Sequence, residues 1–391
     1  MSRVLVTGGA GFIGSHTVDL LLSRGYDVRI LDSLQPRVHP RGKPDYVPSD
    51  VEFILGDVAD RADLGRALDN MDFVLHLAAY QDYLPDFSSF IHTNTESTAL
   101  IFELAVSNPS RYPLRKVVVA SSQSVAGEGT YRCLQESVVF CPDPRSPEQL
   151  ERGQWDLTCP TCGAGAEPLL IDEATCVKPG TAYGISKHAL EQLAFTLGRR
   201  YDIETAAMRY TYVQGARNSF YNAYSGIARR FALRVRAGLP PVCYEDGRQR
   251  RDYVNVLDVA RANLVALENP MANGLALNVG GGRAVTALEF AEIVLRASGS
   301  DLESSVPGEY RVGDTRHTVS DLTRMRSLGW EPHTPVEENV RQYLEWLDTQ
   351  AGSDEYLLEA ERVMREMGVI RQAVVPRGEP MMPDDHPGAH G

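Results

Sequence analysis

Three glycines near the N-terminus separate a short apolar run from a helical segment. Residues 4–6 are apolar, the turn that follows contains Gly8, Gly11 and Gly14, and residues 15–24 have the pattern of a helix. Glycines at this spacing permit a tight turn, a close backbone approach to a pyrophosphate and close packing of helix on strand. The turn therefore predicts the first strand and helix of a dinucleotide-binding fold.

A second apolar run, residues 28–31, ends in Asp32, which lies 18 positions after Gly14 (32 − 14). An acidic residue near this position binds the adenosine ribose of NAD in such folds. No arginine directly follows Asp32, which favours NAD over NADP, although Arg37 is close enough in sequence to keep NADP open. We expect NAD to lie against the glycine turn, in contact with Gly8, Gly11, Phe12, Ile13 and Gly14.

Further apolar runs alternate with helical segments along the chain. Strands are predicted at residues 51–55, 71–77, 116–120, 203–208 and 277–280, and a helix at residues 95–106 after Asn94. This alternation predicts an α/β fold with a doubly wound parallel (Rossmann) sheet, whose ligand lies at the carboxyl ends of the strands. Asp57 could bind the adenine amino group or could be a plain turn residue. The residues at these ends that we expect to contact the cofactor are Asp57, Val58, Leu77, Ala78, Ala79 and Asn94.

Tyr183 and Lys187 lie four positions apart at the start of a long amphipathic run. Residues at this spacing share one face of a helix. An ammonium beside a phenol favours the phenolate, and a shift of the tyrosine pKa from about 10 to near neutrality needs roughly 4 kcal/mol. Tyr183 is therefore predicted to be a general base. The spacing is common by chance, but Ser122 at a strand end completes a Ser-Tyr-Lys set with cofactor-contacting Tyr183 and Lys187.

The composition excludes several classes of protein. A net charge of −13 over 391 residues argues against a nucleic-acid partner, because phosphate backbones require a broad basic surface. No apolar run approaches the roughly eighteen residues of a membrane span, and the first residues lack the layout of a secretory signal. We therefore expect a cytoplasmic protein with neither a nucleic-acid nor a membrane partner.

Taken in order, these motifs resemble the extended short-chain dehydrogenase/reductase superfamily, in particular its nucleotide-sugar epimerases and dehydratases. The resemblance covers roughly the first 345 residues. It implies tightly bound NAD, a nucleotide-diphosphate sugar as substrate and a homodimer. The dehydratase branch carries Thr-Asp-Glu where this chain has Ser122-Gln123-Ser124, so the elimination of water is not expected.

The resemblance also implies a substrate side of the site. Arg251 and Arg311 are expected to bind the diphosphate, for which a bidentate guanidinium is suited, and Asp314 the nucleotide ribose. Tyr212 occupies the position of an asparagine in many members of the family, whose contact could pass to Asn218 or Asn222. Ser124 completes the substrate-binding set. Four arginines between residues 219 and 238 are interpreted as a solvated helix face, with phosphate binding as the alternative: Arg229, Arg230, Arg234 and Arg236.

Ser122 and Tyr183 are 61 positions apart (183 − 122), more than twice the usual span in this superfamily. The extra segment includes the sequence Cys-Pro-Thr-Cys-Gly, which is typical of a zinc knuckle. In a reducing compartment the six cysteines of the chain are expected to be free or metal-bound rather than disulfide-bonded. A structural zinc is therefore predicted, with reduced thiols in a loop as the alternative, and its ligands would be Cys133, Cys141, Cys159 and Cys162.

The predicted organisation is a Rossmann domain, a cysteine-bearing insertion, a smaller substrate domain and a C-terminal extension. The Rossmann domain with the catalytic helix comprises residues 1–131, 177–210 and 252–280, and the insertion residues 132–176. The substrate domain comprises residues 211–251 and 281–348, and residues 349–391 form a helix and a disordered tail.

The resemblance is most specific to the dTDP-L-rhamnose 4-epimerase group, through residues 127–133 and 308–317. It implies an NAD-dependent inversion at the sugar C4 through a transient 4-keto sugar. A 4-ketoreductase with exchangeable NAD(P)H would use the same residues and is an alternative. A non-enzymatic nucleotide sensor is a second alternative, but such proteins usually lack the tyrosine or the lysine that this chain retains.

Overall fold

The protein is seen in a computed structural model that describes residues 2–82, 85–221, 226–350 and 355–374, with side chains from residue 361 in the last range. Asn222 and the tail after residue 375 lie outside these ranges. No helix within the described residues is long and apolar enough to cross a membrane.

The strands of the described chain are β1 (Arg3–Thr7), β2 (Asp27–Asp32), β3 (Glu52–Leu55), β4 (Phe73–His76), β5 (Lys116–Ser122), β6 (Tyr131–Cys133), β7 (Val139–Phe140), β8 (Ala166–Pro168), β9 (Glu204–Tyr210), β10 (Tyr212–Gln214), β11 (Arg250–Asn255), β12 (Leu275–Val279), β13 (Ala284–Thr286), β14 (Glu309–Arg311) and β15 (Ile370–Gln372).

The α-helices are α1 (Phe12–Ser23), α2 (Arg61–Leu68), α3 (Phe87–Phe90), α4 (Ser97–Ser107), α5 (Pro147–Glu151), α6 (Ala182–Tyr201), α7 (Ile227–Arg236), α8 (Val256–Glu268), α9 (Ala287–Ala297), α10 (Thr323–Ser327), α11 (Val336–Asp348) and α12 (Glu355–Glu366). A π-helical segment, Ile91–Glu96, joins α3 to α4, and 3-10 turns span Gln123–Ala126 and Pro270–Ala272.

Seven parallel strands form the main sheet in the order β12-β9-β5-β4-β1-β2-β3. The chain builds the sheet from β1 towards β3, then returns to the centre and continues from β4 towards β12. The direction reverses between β1 and β4, and a crevice at such a switch point is where doubly wound sheets bind ligands. The predicted α/β doubly wound fold is confirmed.

The sheet is buried on both faces, as expected of parallel strands covered by helices. Successive residues of β1 enter different cores: Val4 and Val6 pack with α1 and α8, whereas Leu5 packs with α2, α4 and α6. A third apolar core lies between α7, α9 and α11 of the smaller lobe, beside the small sheet β10-β11-β13. The predicted domain boundary between residues 251 and 252 falls inside β11. This strand pairs with β10 and β13 and not with the main sheet.

Asn94 does not start a helix, contrary to the sequence-based expectation. The helical path begins at Phe87 and passes through the π-helical segment, which contains Asn94. The side-chain amide of Asn94 donates to the carbonyl of Tyr80 at 3.1 Å and to the hydroxyl of Ser186 at 2.9 Å. Asn94 thereby fixes the loop after β4 against α6, which only the folded chain brings together.

The insertion forms a three-stranded antiparallel sheet in the order β7-β6-β8. Cys141 forms a disulfide with Cys176, with Cα atoms 6.6 Å apart. Two predictions are therefore wrong: Cys141 is not with the other three cysteines of the predicted metal site, and not all six cysteines are free or metal-bound. Sequence spacing could not reveal this pair, since 35 residues separate its members.

A buried charge cluster joins the insertion to the rest of the molecule. Arg145 of the insertion pairs with Glu128 at 3.2 Å and with Glu245 at 3.0 Å, and these three side chains are at most 3% exposed. Arg316 extends the cluster by pairing with Glu245 at 3.0 Å and with Asp246 at 2.6 Å. Opposite charges buried in such contact tolerate the loss of one partner poorly.

We expect Arg145→Ala to destabilise the protein by about 3 kcal/mol or more, because the buried carboxylate of Glu128 loses its counterion. Arg132→Ala is the matched control, since Arg132 pairs with Glu167 in the same insertion with both side chains nearly half exposed. The control should cost less than about 1 kcal/mol. Denaturant unfolding of the full chain measures both changes in the free energy of unfolding. Equal losses in the two variants would contradict the role of Arg145 as the buried counterion of Glu128.

Candidate active site

A cleft of about 330 Å³ lies between the main sheet and the smaller lobe. It brings together side chains that are far apart in sequence. From the sheet side it is lined by Phe12, Ile13, Ser122, Ser124 and Tyr183, and from the smaller lobe by Tyr212, Arg251, Arg311 and Asp314. Residues that the sequence analysis assigned separately to cofactor, catalysis and substrate therefore line one cavity.

The glycine turn occupies a space that no other residue would fit. A Cβ atom on Gly14 would lie 2.0 Å from the carbonyl oxygen of Gly8, and one on Gly8 would lie 2.8 Å from the Cα of Ala78. Helix α1 begins directly after Gly11 with no side-chain cap. Its first backbone N–H groups are thus available at the switch point, which suits the pyrophosphate of a dinucleotide.

Asp32 ends β2 beside this turn. Its carboxylate accepts hydrogen bonds from the backbone N–H groups of Ala10 at 3.0 Å and Leu34 at 2.9 Å, which fix its orientation at the strand end. Arg37 is directed elsewhere, because its guanidinium pairs with Asp82 and donates to the hydroxyl of Tyr80. The geometry favours NAD over NADP, since a 2′-phosphate would need an arginine at the position of the ribose.

The other predicted cofactor residues follow the carboxyl ends of β3 and β4. Asp57 accepts a hydrogen bond from the backbone N–H of Ala59 at 2.9 Å, so it holds its own turn. Val58 is buried in the core that lies under α2 and α4. Leu77 and Ala78 follow β4, and the N–H of Ala78 donates to the hydroxyl of Thr7 at 3.2 Å. Ala79 is the next residue and is exposed.

Ser122, Tyr183 and Lys187 meet where β5 ends and α6 begins. The Thr181 side chain caps α6 by accepting from the N–H of Gly184 at 3.1 Å, which places Tyr183 in the first turn. The Lys187 ammonium nitrogen lies 5.6 Å from the centre of the Tyr183 ring. At the end of β5, the Ser124 hydroxyl donates to the oxygen of Ser122 at 2.7 Å.

A buried ion pair holds α6 against the sheet. Arg209 at the end of β9 donates two hydrogen bonds of 2.8 Å to the carboxylate of Glu191. Both side chains are at most 7% exposed. A bidentate pair fixes orientation as well as distance. It therefore fixes the rotation of α6 about its own axis, and with it the direction of the face that bears Tyr183 and Lys187.

Burial lowers the pKa of Lys187 to about 7. The residue is 1% exposed, and its nitrogen donates to the carbonyl of Ala120 at 2.8 Å. Sequence reasoning treated Lys187 as a permanent ammonium beside the tyrosine. The folded chain instead places it where its charge changes near neutral pH, because a buried ammonium loses hydration.

The two arginines predicted to bind the diphosphate, Arg251 and Arg311, are held by backbone and side-chain contacts. Arg251 donates to the carbonyls of Thr315 at 2.6 Å and Arg316 at 2.9 Å, and its guanidinium lies 5.3 Å from the Tyr212 ring centre. Arg311 pairs with Asp314 at 2.8 Å. Burial alone would raise the pKa of Asp314, but the charges of Arg311 and Arg251 outweigh it and hold this pKa below its usual value.

Sequence reasoning missed Tyr244, which also lines the cleft. Arg230, which was assigned to a solvated helix face with phosphate binding as the alternative, lines it too. The Arg230 guanidinium lies 3.9 Å from the ring centre of Tyr244, and that of Arg311 lies 5.2 Å from the same ring. Tyr244 is thus flanked by two cations.

The interpretation of the α7 arginines as a solvated face is wrong for Arg229 and Arg230, which are at most 9% exposed. The amphipathic pattern of α7 did not carry this signal, because the six consecutive residues 228–233 are all buried.

Asn218 lies in the cleft, where it could make the contact that Tyr212 lacks. Asn222, the other candidate, is outside the described residues. Gln123 also lines the cleft; it is 5% exposed, and its side-chain amide has no hydrogen-bond partner among the residues that the structure describes. A neutral amide therefore lies near the position at which the dehydratase branch has an acid.

Fold and site together define a member of the extended short-chain dehydrogenase/reductase class. The family profile described as "NAD dependent epimerase/dehydratase family" matches residues 4–147 and 157–280. The chain belongs to the NAD dependent epimerase/dehydratase family, and it is an enzyme of the epimerase type.

Similar proteins have related activities. The dTDP-L-rhamnose 4-epimerase of Burkholderia thailandensis is 30% identical over 353 residues, which are 88% of this chain and 94% of that protein. A UDP-N-acetylglucosamine 4-epimerase of Methanobrevibacter ruminantium, solved with UDP-N-acetylmuramic acid, is 26% identical with a TM-score of 0.71 over 89% of this chain and 99% of that one. A UDP-glucose 4-epimerase of Thermus thermophilus, solved with NAD, is 27% identical with a TM-score of 0.67 over 88% and 99%.

The lowered pKa of Lys187 predicts a pH dependence of stability. Between pH of about 7 and 10.5 the unfolded chain binds a proton at this lysine that the folded chain does not, so the stability contribution rises with pH. The difference in free energy of unfolding between the wild-type protein and Lys187→Met should increase by at most about 1.4 kcal/mol per pH unit over this window. Denaturant unfolding at pH 7 to 9.5 measures the difference.

The control for this measurement is Lys178→Met, which removes a partly exposed lysine that pairs with Asp143 in the insertion. Its stability relative to wild type should stay nearly constant over the same pH range. A Lys187→Met difference that is equally flat would show that Lys187 keeps its proton on folding.

Proposed function

We propose that the protein is an NAD-dependent nucleotide-sugar 4-epimerase that acts through a transient 4-keto sugar. We further propose a dTDP-6-deoxyhexose such as dTDP-L-rhamnose as substrate. The observation that carries the proposal is the presence of Ser122, Tyr183, Arg251 and Arg311 in one cleft. The similarity to the B. thailandensis enzyme supports the choice of sugar.

The chemistry that bound NAD would supply is reversible hydride transfer at the sugar C4. The glycine cradle, the uncapped start of α1 and the fixed Asp32 carboxylate fit such a dinucleotide. The residues proposed to hold it are Gly8, Gly11, Phe12, Ile13, Gly14, Asp32, Asp57, Val58, Leu77, Ala78, Ala79, Asn94, Tyr183 and Lys187.

Tyr183 would take the proton of the C4 hydroxyl in this proposal, and Ser122 would donate a hydrogen bond to the developing ketone oxygen. The Ser124 hydroxyl donates a hydrogen bond to the Ser122 oxygen. The Ser122 hydroxyl therefore keeps its own proton available to donate to the ketone oxygen. A protonated Lys187 next to the ring would stabilise the Tyr183 phenolate. The pKa of about 7 for Lys187 allows that charge to form at neutral pH.

An epimerase must let the 4-keto sugar turn while its diphosphate stays bound. Arg251 and Arg311 line the cleft on the side of the smaller lobe, away from the β5 strand end. Bidentate guanidinium contacts would keep the diphosphate in place while the sugar presents its other face. Asp314 would bind the nucleotide ribose, with Tyr212, Ser124 and Asn218 or Asn222 as further contacts. The neutral Gln123 supports epimerisation over the elimination of water.

We expect Tyr183→Phe to lower turnover by roughly 100- to 10,000-fold, because the phenolic oxygen is the proposed base. Tyr201→Phe is the matched control, since Tyr201 is exposed at the other end of α6. Turnover on dTDP-L-rhamnose and related nucleotide sugars is followed by NMR of the C4 stereochemistry. No epimer from any of these sugars, with NAD occupancy verified, would falsify the proposed function.

Cofactor retention distinguishes the epimerase from a 4-ketoreductase. Nucleotide released by heat from the purified protein should be NAD at about one per chain, because the hydride returns to the same sugar. An empty site that binds NADPH on addition, together with consumption of NADPH by a 4-keto sugar, would favour the reductase instead.

A homodimer and a cytoplasmic location are part of the proposal. Three large apolar side chains support an interface: Phe87 of α3, Ile91 of the π-helical segment and Ile185 of α6 are 44–62% exposed on helices that contact one another. Ile185→Asp should shift the native mass from dimer to monomer in light scattering, whereas Leu257→Asp, on the exposed side of α8, should not. A monomeric wild-type protein would contradict this interface.

A further inference from the structure

Two turns of the insertion have the same backbone hydrogen bonds. The N–H of Cys133 donates to the carbonyl of Val138 at 2.9 Å, and the N–H of Cys159 donates to that of Ala164 at 2.7 Å. In each turn the fifth residue donates back to the first: Ser137 to Cys133 at 3.0 Å, and Gly163 to Cys159 at 2.9 Å. The two turns are therefore equivalent, position by position.

The fifth residue of each turn also has the same conformation. Gly163 has a φ of 73° and Ser137 has a φ of 56°, which is uncommon for a residue other than glycine. The second turn is the Cys-x-x-Cys-Gly knuckle of the sequence analysis. The first has the same shape but carries Glu136 where the second carries Cys162, which is why its sequence pattern was not recognised.

The two turns face each other, and their side chains converge. One donor atom from each of Cys133, Glu136, Cys159 and Cys162 can be chosen so that all four lie within 4.8 Å of one another. The sulfur atoms of Cys133 and Cys162 are 3.5 Å apart. Residues 29 positions apart in sequence thus form one cluster, outside the cleft described above.

Backbone N–H groups are directed at these sulfurs. The N–H of Glu136 donates to the Cys133 sulfur at 3.3 Å. The N–H groups of Thr161 and Cys162 interact with the Cys159 sulfur, and that of Ala164 with the Cys162 sulfur. Such donors stabilise the negative charge of thiolates, which is the form that binds a metal.

We propose that Cys133, Glu136, Cys159 and Cys162 bind one structural zinc ion. Three sulfurs and one carboxylate oxygen give the four ligands of a tetrahedral site, and thiolate-rich sets of this kind select zinc or iron over magnesium and calcium. All four coordination positions are filled by the protein, so the ion has a structural role. The ligand set replaces Cys141, which is bonded to Cys176, with Glu136.

The insertion has a physical need for such an ion. Leu134, Val138 and Val139 are at least half exposed, so its small sheet is covered by few apolar contacts. Zinc would join the turn after β6 to the turn before β8 directly, in addition to the pairing of these two strands. Metal binding stabilises small folds with little core, because the site does not exist in the unfolded chain.

The full-length protein, purified without an affinity tag that binds metal, should contain about one zinc per chain by elemental analysis. Cys162→Ser should reduce this to below roughly a tenth, because the exposed Cys162 is replaced by a poor ligand. The control removes the disulfide pair of the same insertion, Cys141→Ser with Cys176→Ser, and should retain the zinc. Zinc-free wild-type protein that does not take up zinc on addition would overturn the proposal.

Glu136 has a separate test that does not depend on loss of a cysteine. Competition with a chelator should show at least about 10-fold weaker zinc binding in Glu136→Gln and a recovery in Glu136→Cys. Cobalt substituted for zinc should give a thiolate-to-cobalt absorption band that persists in Glu136→Gln and weakens in Cys162→Ser. Unchanged affinity in Glu136→Gln would exclude Glu136 as a ligand, and loss of zinc in the disulfide variant would exclude the assigned set.

Discussion

The buried cluster of Arg145, Glu128, Glu245 and Arg316 is the contact through which the parts of the molecule depend on one another. Arg145 brings the insertion to the loop after β5, and its guanidinium also donates to the carbonyl of Asp314 at 2.8 Å. Arg316, two residues further, pairs with Glu245 through its guanidinium and donates its backbone N–H to Glu128. The loop that presents Arg311 and Asp314 to the cleft is thus fixed by charges from three segments. Because buried charges require partners, this cluster forms only when all three segments have folded.

The residues of the cleft are positioned in two ways: some by their neighbours in sequence and others by contacts with distant segments. On the sheet side, the glycine turn, Asp32 and the capped start of α6 are local structures that neighbouring residues specify. On the side of the smaller lobe, Arg251 is oriented by the carbonyl of Thr315 from a distant segment, and Arg311 by the nearby carboxylate of Asp314. The bidentate Glu191–Arg209 pair adds to the order on the sheet side, since it fixes the rotation of α6 relative to the end of β9. A reaction that needs a base and an anchored diphosphate in one cavity depends on both kinds of order.

Most of the fold could be predicted from the sequence. Six of the seven strands of the main sheet were recognisable from their apolar runs, and the catalytic helix from its period, because both patterns are local. The last strand was recognised by its resemblance to the family. The site was predictable to the extent that it uses family motifs. Tyr244 was missed, and Arg230 was assigned to a solvated face, because their contact arises from the packing of α7 on a loop. Asn94 was assigned a helix start because polar residues favour helix ends, whereas here tertiary hydrogen bonds place it inside a helical segment.

The sequence by itself determined the doubly wound sheet, the glycine turn and the Tyr183–Lys187 spacing, since each depends on backbone geometry over a few neighbouring residues. Only the tertiary structure decided which cysteines come together. Cys141 seemed equivalent to the others in sequence, but the fold pairs it with Cys176 and places Glu136 beside Cys133, Cys159 and Cys162. The protonation of Lys187 was likewise decided by burial rather than by its spacing from Tyr183. Burial and long-range contact depend on the whole chain, and no local pattern encodes them.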